Sequence, residues 1–334
     1  MQFLEALIAE HISAAWICLI LAFGVLARSA DLFVDSSVSL ANRFRIPRLV
    51  IGIVLVSLAT TAPELSVSLM SALHGKPEMA LGNAVGSVIC NKGLGLALCA
   101  LIAGTAIPVI PHVLNTSGSF LLFVSLLAFG AVLPDCTLGR FEGLILVGLF
   151  FGYLAFLFRQ HRIGRFHDDV DMEAASDHLH VSGPRLVFLF LIGLAGIIVS
   201  SRVVILSATS IAVWIGIPEA VIALTLVALG TSIPEVATCV SAARKKEGAL
   251  AVGNILGANI MNICWVAGFS AVVNPLSLER RELLFMFPAM CIILVVSLAM
   301  LRMGYRLTRR QGIVLLALYA AYLVSFFIVF PPQV

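Results

Sequence analysis

An all-α membrane protein of about ten transmembrane helices, built as two inverted five-helix repeats, is the fold this sequence predicts. Three observations predict it. The 334 residues are 60% hydrophobic and only 12% charged, with a mean hydropathy of +1.08. Soluble domains carry about 25% charge. The apolar residues gather in blocks of roughly 18 or more, separated by short polar breaks, as bilayer-spanning helices require. Lastly, the chain overlays on itself at an offset of 171 residues, the distance from Glu64 to Glu235.

In chain order the expected spans are 12–38, 48–73, 79–106, 114–133, 141–158, 185–212, 219–243, 249–273, 283–301 and 311–330. Proline or glycine lies near many of their ends. The first span follows Glu5, Glu10 and His11 with no basic leader or small-residue cleavage site, so no cleavable signal is expected. The second contains "SLATTAPELSVS" (57–68) and the third "GNAVGSVICN" (82–91). The seventh and eighth contain "ALGTSIPEVATC" (228–239) and "GNILGANIMN" (253–262). One long polar segment, Arg159 to Pro184, separates the fifth span from the sixth. It divides the chain into a first half (1–158), a cytoplasmic linker (159–184) and a second half (185–334).

Positive charge supplies an orientation. Arg43, Arg45, Arg48, Arg159, Arg162, Arg165, Arg185, Arg244, Lys245, Lys246, Arg302, Arg306, Arg309 and Arg310 all fall in loops of one side. The opposite loops hold only Lys76, Arg140, Arg280 and Arg281. The positive-inside rule then places both termini outside and the central segment in the cytoplasm of a plasma (inner) membrane. Arg28, Lys92 and Arg202 lie within spans.

The repeat rests on polar identities. At the common offset Thr60, Pro63, Glu64, Gly82, Asn83, Gly86 and Asn91 meet Thr231, Pro234, Glu235, Gly253, Asn254, Gly257 and Asn262. Upstream, Ile46 and Pro47 meet Ile217 and Pro218. Five helices per repeat is an odd number, so the two copies insert with opposite orientation. In transporters built this way the substrate site lies at the repeat interface near the midplane.

Each motif carries the chemistry of a cation site. A proline within a helix removes a backbone donor and crowds the carbonyl four residues earlier. Pro63 and Pro234 are therefore expected to open the backbone around Leu58–Thr60 and Leu229–Thr231. Beside each break stand two hydroxyls, Thr60 with Thr61 and Thr231 with Ser232, and one glutamate. Asn91 and Asn262 can bring amide oxygens near, and Gly82, Gly86, Gly253 and Gly257 permit close helix approach. The donors are all oxygen, which suits Ca2+, Na+ or Mg2+ rather than zinc or copper. Acids held within a membrane are by default ion or proton sites. The seven cysteines are scattered through apolar segments and read as small buried hydrophobes.

These motifs resemble the α-repeats of the calcium/cation antiporter superfamily, most closely the prokaryotic sodium/calcium exchangers and their potassium-dependent relatives. "ALGTSIPEV" matches the family's G-T-S-x-P-E closely, and "SLATTAPEL" matches with Ala59 and Thr61 substituted. The resemblance implies that Glu64 and Glu235 bind transported Ca2+. It also implies that Thr60, Thr61, Ser87, Asn91, Thr231, Ser232 and Asn262 help form adjoining ion sites, and that the first and sixth helices slide as a gating unit. The chain departs from the family in having asparagine at both 91 and 262, where one aspartate is common. Ala258 stands opposite Ser87, and Val88 opposite Asn259. Gly86 and Gly257 occupy the place of the acid usual in proton/calcium antiporters, which argues against that branch.

Three candidate modulators accompany the site. Lys92 follows the site asparagine; it either faces away or reaches a glutamate as a tethered cation. Asp31 shares a helix face with Arg28 and Asp35 and aligns with Arg202, so an Asp31–Arg202 bridge could join the first and sixth helices, unless the arginines pair locally or snorkel. The central segment holds His161, His167, His178 and His180 with several acids but no ligand spacing, and reads as a solvated linker rather than a metal or pH sensor. The expected function is antiport of Ca2+ against Na+, with no cofactor and no enzymatic activity. Inorganic cations and the lipid bilayer are its partners, and nucleic acid is not. A Ca2+/H+ or K+-dependent exchanger is the alternative, with a passive channel or an intramembrane hydrolase behind it.

Overall fold

The computed structural model describes residues 8, 11–44, 46, 48–162, 182–215 and 229–330. Among these, eight helices are long and apolar enough to cross a membrane, and one bent pair makes a ninth. The helices are α1 (Ile12–Phe44), α2 (Gly52–Thr60), α3 (Ala62–Leu73), α4 (Pro77–Ile102), α5 (Pro111–Val132) and α6 (Arg140–Arg162). They continue as α7 (Gly183–Trp214), α8 (Ile233–Arg244), α9 (Gly248–Val273), α10 (Arg280–Arg302) and α11 (Arg309–Val329). The expected seventh span starts at 219; its opening part and most of the central segment lie outside the described residues, and α8 is the rest of that span.

Several boundaries differ from expectation. α1 runs to Phe44 because nothing in "SLANRF" stops a helix before Pro47. At 33 residues it is about 50 Å long, well beyond a hydrocarbon core of about 30 Å. α7 matches it with 32 residues. The two lie side by side, with Gly193 against the Phe33 backbone and the rings of Phe33 and Phe190 in tilted contact, centroids 4.7 Å apart. Their outer faces carry exposed Trp16, Ile20, Leu21, Phe188 and Leu191, as lipid contact demands.

Inside, α4 and α9 are largely buried. Lipid is as apolar as leucine, so these helices gain little from hydrophobicity and depend on close packing. A side chain at Gly257 would collide with the Ile53 carbonyl and the Ser57 hydroxyl, which lets α9 cross α2 backbone to backbone.

The two halves repeat in detail. After α3 the chain turns at Gly75 (φ 68°), and after α8 at Lys246 (φ 62°), its counterpart at the common offset. Both turns close with the same bonds: Lys76 N–H to Ser71 O and Glu247 N–H to Ala242 O, each 2.8 Å. Two short antiparallel ladders then tie the halves together. β1 (Ile107–Pro108) pairs with β4 (Arg306–Leu307) near the basic loops, and β2 (Thr137–Leu138) with β3 (Leu276–Ser277) at the opposite end. The Ile107–Leu307 pair maps onto Leu278 and Cys136, which are hydrogen-bonded at 3.1 Å.

Among the described residues, four π-helical stretches interrupt the spans: Gly52–Val56, Asn91–Gly95, Leu114–Gly118 and Asn262–Ala267. The second and fourth begin at the aligned asparagines. Such bulges often mark functional positions, and the sequence pattern did not signal them.

Candidate cation site

α2 ends at Thr60, and Thr61 (φ −81°, ψ 0°) bends the chain by 51° into α3. Pro63 sits in the first turn of α3 and has no N–H, so the Ala59 carbonyl lacks its helical donor. Ser232 (φ −84°, ψ −2°) precedes α8 in the same way, with Pro234 in its first turn. Each break places a glutamate, Glu64 or Glu235, in the first turn of a new helix, where the helix dipole favours negative charge.

Both glutamates are completely buried. Thr61 Oγ1 donates to Glu235 Oε1 at 3.0 Å, and Ser232 Oγ donates to Glu64 Oε1 at 3.4 Å. Each carboxylate is thus held by the hydroxyl of the other half. A second reciprocal set lies behind them. Asn83 Nδ2 donates to the Glu64 carbonyl at 3.2 Å and Asn254 Nδ2 to the Glu235 carbonyl at 3.4 Å. Thr231 Oγ1 donates to Asn83 Oδ1 at 3.1 Å, while Thr60 Oγ1 donates to Asn254 Oδ1 at 3.4 Å. Ser87 Oγ adds a 3.5 Å contact to Thr231 Oγ1, and Ala258 leaves that contact without a mirror.

One oxygen of each carboxylate, Oε2, has no hydrogen-bond partner. The amides of Asn91, Asn259 and Asn262 are also buried and unpartnered. A buried carboxylate oxygen or amide left unpaired costs about 1–3 kcal/mol, more when charged. A hard cation offsets that cost by accepting these oxygens. Among the described residues no group of three or more His, Cys, Asp or Glu could hold a metal, so the oxygen chemistry of the two Pro-Glu breaks stands alone.

The structure joins seven of the expected residues by direct bonds: Glu64, Glu235, Thr60, Thr61, Thr231, Ser232 and Ser87. Asn91 and Asn262 are buried at the starts of their π segments, and their side chains make no hydrogen bond. Asn83 and Asn254 were missed as site residues, although their identical Gly-Asn context was a visible signal. Lys92 is buried, its Nζ has no hydrogen-bond partner, and it makes no ion pair with either glutamate. Cys239 Sγ lies 2.9 Å from Cys99 Sγ, both as free thiols. Asp31 is engaged by α8, through Ser241 Oγ at 2.6 Å and the Arg244 guanidinium at 3.9 Å, while Arg202 lies exposed on α7.

Comparison with known proteins shows what the chain as a whole is similar to. The profile of the sodium/calcium exchanger protein family matches residues 14–159 and 185–328. Sodium/calcium exchanger MaX1 of Methanosarcina acetivorans is 29% identical, over 95% of this chain and 99% of its own. Inner membrane protein YrbG of Escherichia coli is 39% identical over 74% of this chain and 76% of its own. The solved structure of the sodium-calcium exchanger NCX_Mj, soaked with Na+ and Sr2+, superposes with a TM-score of 0.78 at 28% identity, covering 94% of this chain and 99% of that one. With a profile spanning both halves and a likeness that runs nearly end to end, the chain belongs to the sodium/calcium exchanger family, whose members are membrane transporters and not enzymes.

Proposed function

We propose that the protein exchanges Ca2+ for Na+ by alternating access at a midplane site bounded by Glu64 and Glu235. The observation that carries this reading is the reciprocal crossing, in which Thr61 holds Glu235 and Ser232 holds Glu64, leaving one free oxygen on each acid. Two carboxylates balance one Ca2+ or two monovalent ions, so the two modes of binding compete for the same charge. Asn83 and Asn254 fix the glutamate backbones, while the amides of Asn91 and Asn262 supply neutral oxygens nearby. Because each carboxylate is held from the opposite half, displacement of either half disturbs both. An ion-free pair of buried acids crosses a low-dielectric barrier poorly, which favours exchange over leak.

The excess of basic residues supports placing the β1–β4 end of the molecule in the cytoplasm of a plasma (inner) membrane, with both termini outside. The chain then divides into halves 1–158 and 185–334 around a cytoplasmic linker. MaX1 carries the name of a sodium/calcium exchanger, and CaxA of Alkalimonas amylolytica, 31% identical, that of a putative antiporter. Both names support the reading. The test is ⁴⁵Ca2+ uptake into proteoliposomes under separate Na+, K+ and H+ gradients, with Glu64→Gln as control. Uptake driven by Na+ alone is expected; uptake that ignores every gradient, or that survives in Glu64→Gln, refutes the proposal.

A further inference from the structure

The α1–α7 pair joins the core mainly at one end. α1 packs against α8, and α7 touches it too, whereas α3, the counterpart of α8, has no comparable packing with either. Matching faces record the difference. Ala62, Ser66 and Met70 form an exposed stripe on α3; at the same positions of α8, Ile233 and Ala237 are half-buried and Ser241 is buried. Among the described residues, α1 lying on α8 therefore covers the site toward the basic loops, and α3 at the opposite end has no such cover.

Polar contacts hold the closed end. Ser241 Oγ donates to Asp31 Oδ1 and Lys245 Nζ to Asp35 Oδ1, both at 2.6 Å, with Arg244 3.9 Å from Asp31. Asp31 and Asp35 are one helical turn apart on α1, and Ser241 and Lys245 one turn apart on α8, so the pairs stack in register. The repeat gives them no mirror. The positions matching Ser241, Arg244 and Lys245 are Met70, Leu73 and His74, and those matching Asp31 and Asp35 are Arg202 and Leu206.

We propose that Asp31 and Asp35 with Ser241 and Lys245 form a latch that keeps the cytoplasmic end of the site closed at rest and separates in every exchange cycle. The latch rests on the reading of the site as an alternating-access exchanger. Opening that end moves α1 off α8 and breaks both bonds. Both bonds therefore bias the resting population against the state open at the basic end. The Lys245–Asp35 pair is about one-third exposed on each side, so removing it shifts the balance about two- to fivefold rather than completely.

The experiment uses the full chain in detergent and in proteoliposomes of known orientation. In Asp35→Asn and in Lys245→Gln, amide hydrogen exchange is expected to quicken in residues 28–44 and 233–247 and to stay unchanged in 62–75. The apparent Ca2+ affinity measured from the basic end should rise by the same two- to fivefold factor. The charge-swapped protein, Asp35→Lys with Lys245→Asp, should recover both protection and affinity. Unchanged exchange and affinity in the single variants, or a folded swap that restores neither, overturns the latch. Variants that quicken exchange in a protein showing no gradient-driven Ca2+ flux would overturn the transport reading and leave the latch standing.

Discussion

The two Pro-Glu crossings correspond atom for atom, yet the residues one turn away from them do not. Thr61 to Glu235 repeats as Ser232 to Glu64, and Thr231 to Asn83 repeats as Thr60 to Asn254. Around them Ser87 faces Ala258 across the repeat, Val88 faces Asn259, Lys92 faces Ile263, and Ser68 faces Cys239. Even the last substitution keeps a geometric role: Ser68 Oγ donates to Ala80 O at 3.1 Å, and Cys239 Sγ to Ala251 O at 3.7 Å. The duplicated part is the part that the proposed cation site needs from both halves at once. The surroundings are free to diverge, and they make the two ends of the pathway unequal.

The strongest test of that division is at the carboxylates. If the halves contribute equally, Glu64→Gln and Glu235→Gln should each weaken Ca2+ binding by about 3 kcal/mol or more, on the order of a hundredfold, by isothermal titration. A large loss in one and none in the other would break the symmetry. Lys92→Ile copies the residue of the second half into the first. It removes a buried ammonium with no hydrogen-bond partner, so stability should rise by about 1–3 kcal/mol, read as a higher melting temperature. A fall in melting temperature would mean that the lysine is paired after all. Next come the crossing hydroxyls. Thr61→Ala and Ser232→Ala should each weaken Ca2+ binding by about 1.5 kcal/mol, the former more because its bond is 3.0 Å against 3.4 Å. The reverse order would count against the described geometry. The smallest effect is at the turns: Lys246→Gly gives the second half the residue that Gly75 supplies in the first. Relief of the left-handed backbone should stabilise by about 0.5–1 kcal/mol, detectable in thermal unfolding.

Much of this was legible in the sequence. The paired Thr-x-x-Pro-Glu and Gly-Asn motifs share one offset, and polar residues in apolar helices have few reasons to recur by accident. The bends were legible too, since Pro63 and Pro234 cannot donate to the helix. What the sequence hid was which hydroxyl meets which acid. Thr61 lies three residues from Glu64 but bonds to Glu235, a choice made by how the halves face each other across the site. The π segments at Asn91 and Asn262 were hidden for a related reason: one extra residue in a turn leaves the hydrophobic pattern almost unchanged. The partner of Asp31 was hidden as well. Alignment of the repeats pointed to Arg202, while packing of α1 on α8 delivers Ser241 and Arg244.

The two small ladders have a wider consequence. Each joins a loop of the first half to a loop of the second, one at either end of the molecule, and neither involves α1 or α7. The helices they flank, α4, α5, α6, α9, α10 and α11, are thereby buttoned together at both membrane faces into one frame. That frame runs across the duplication: one helix from each half, α1 and α7, stands outside it, and the helices the ladders flank come from both halves.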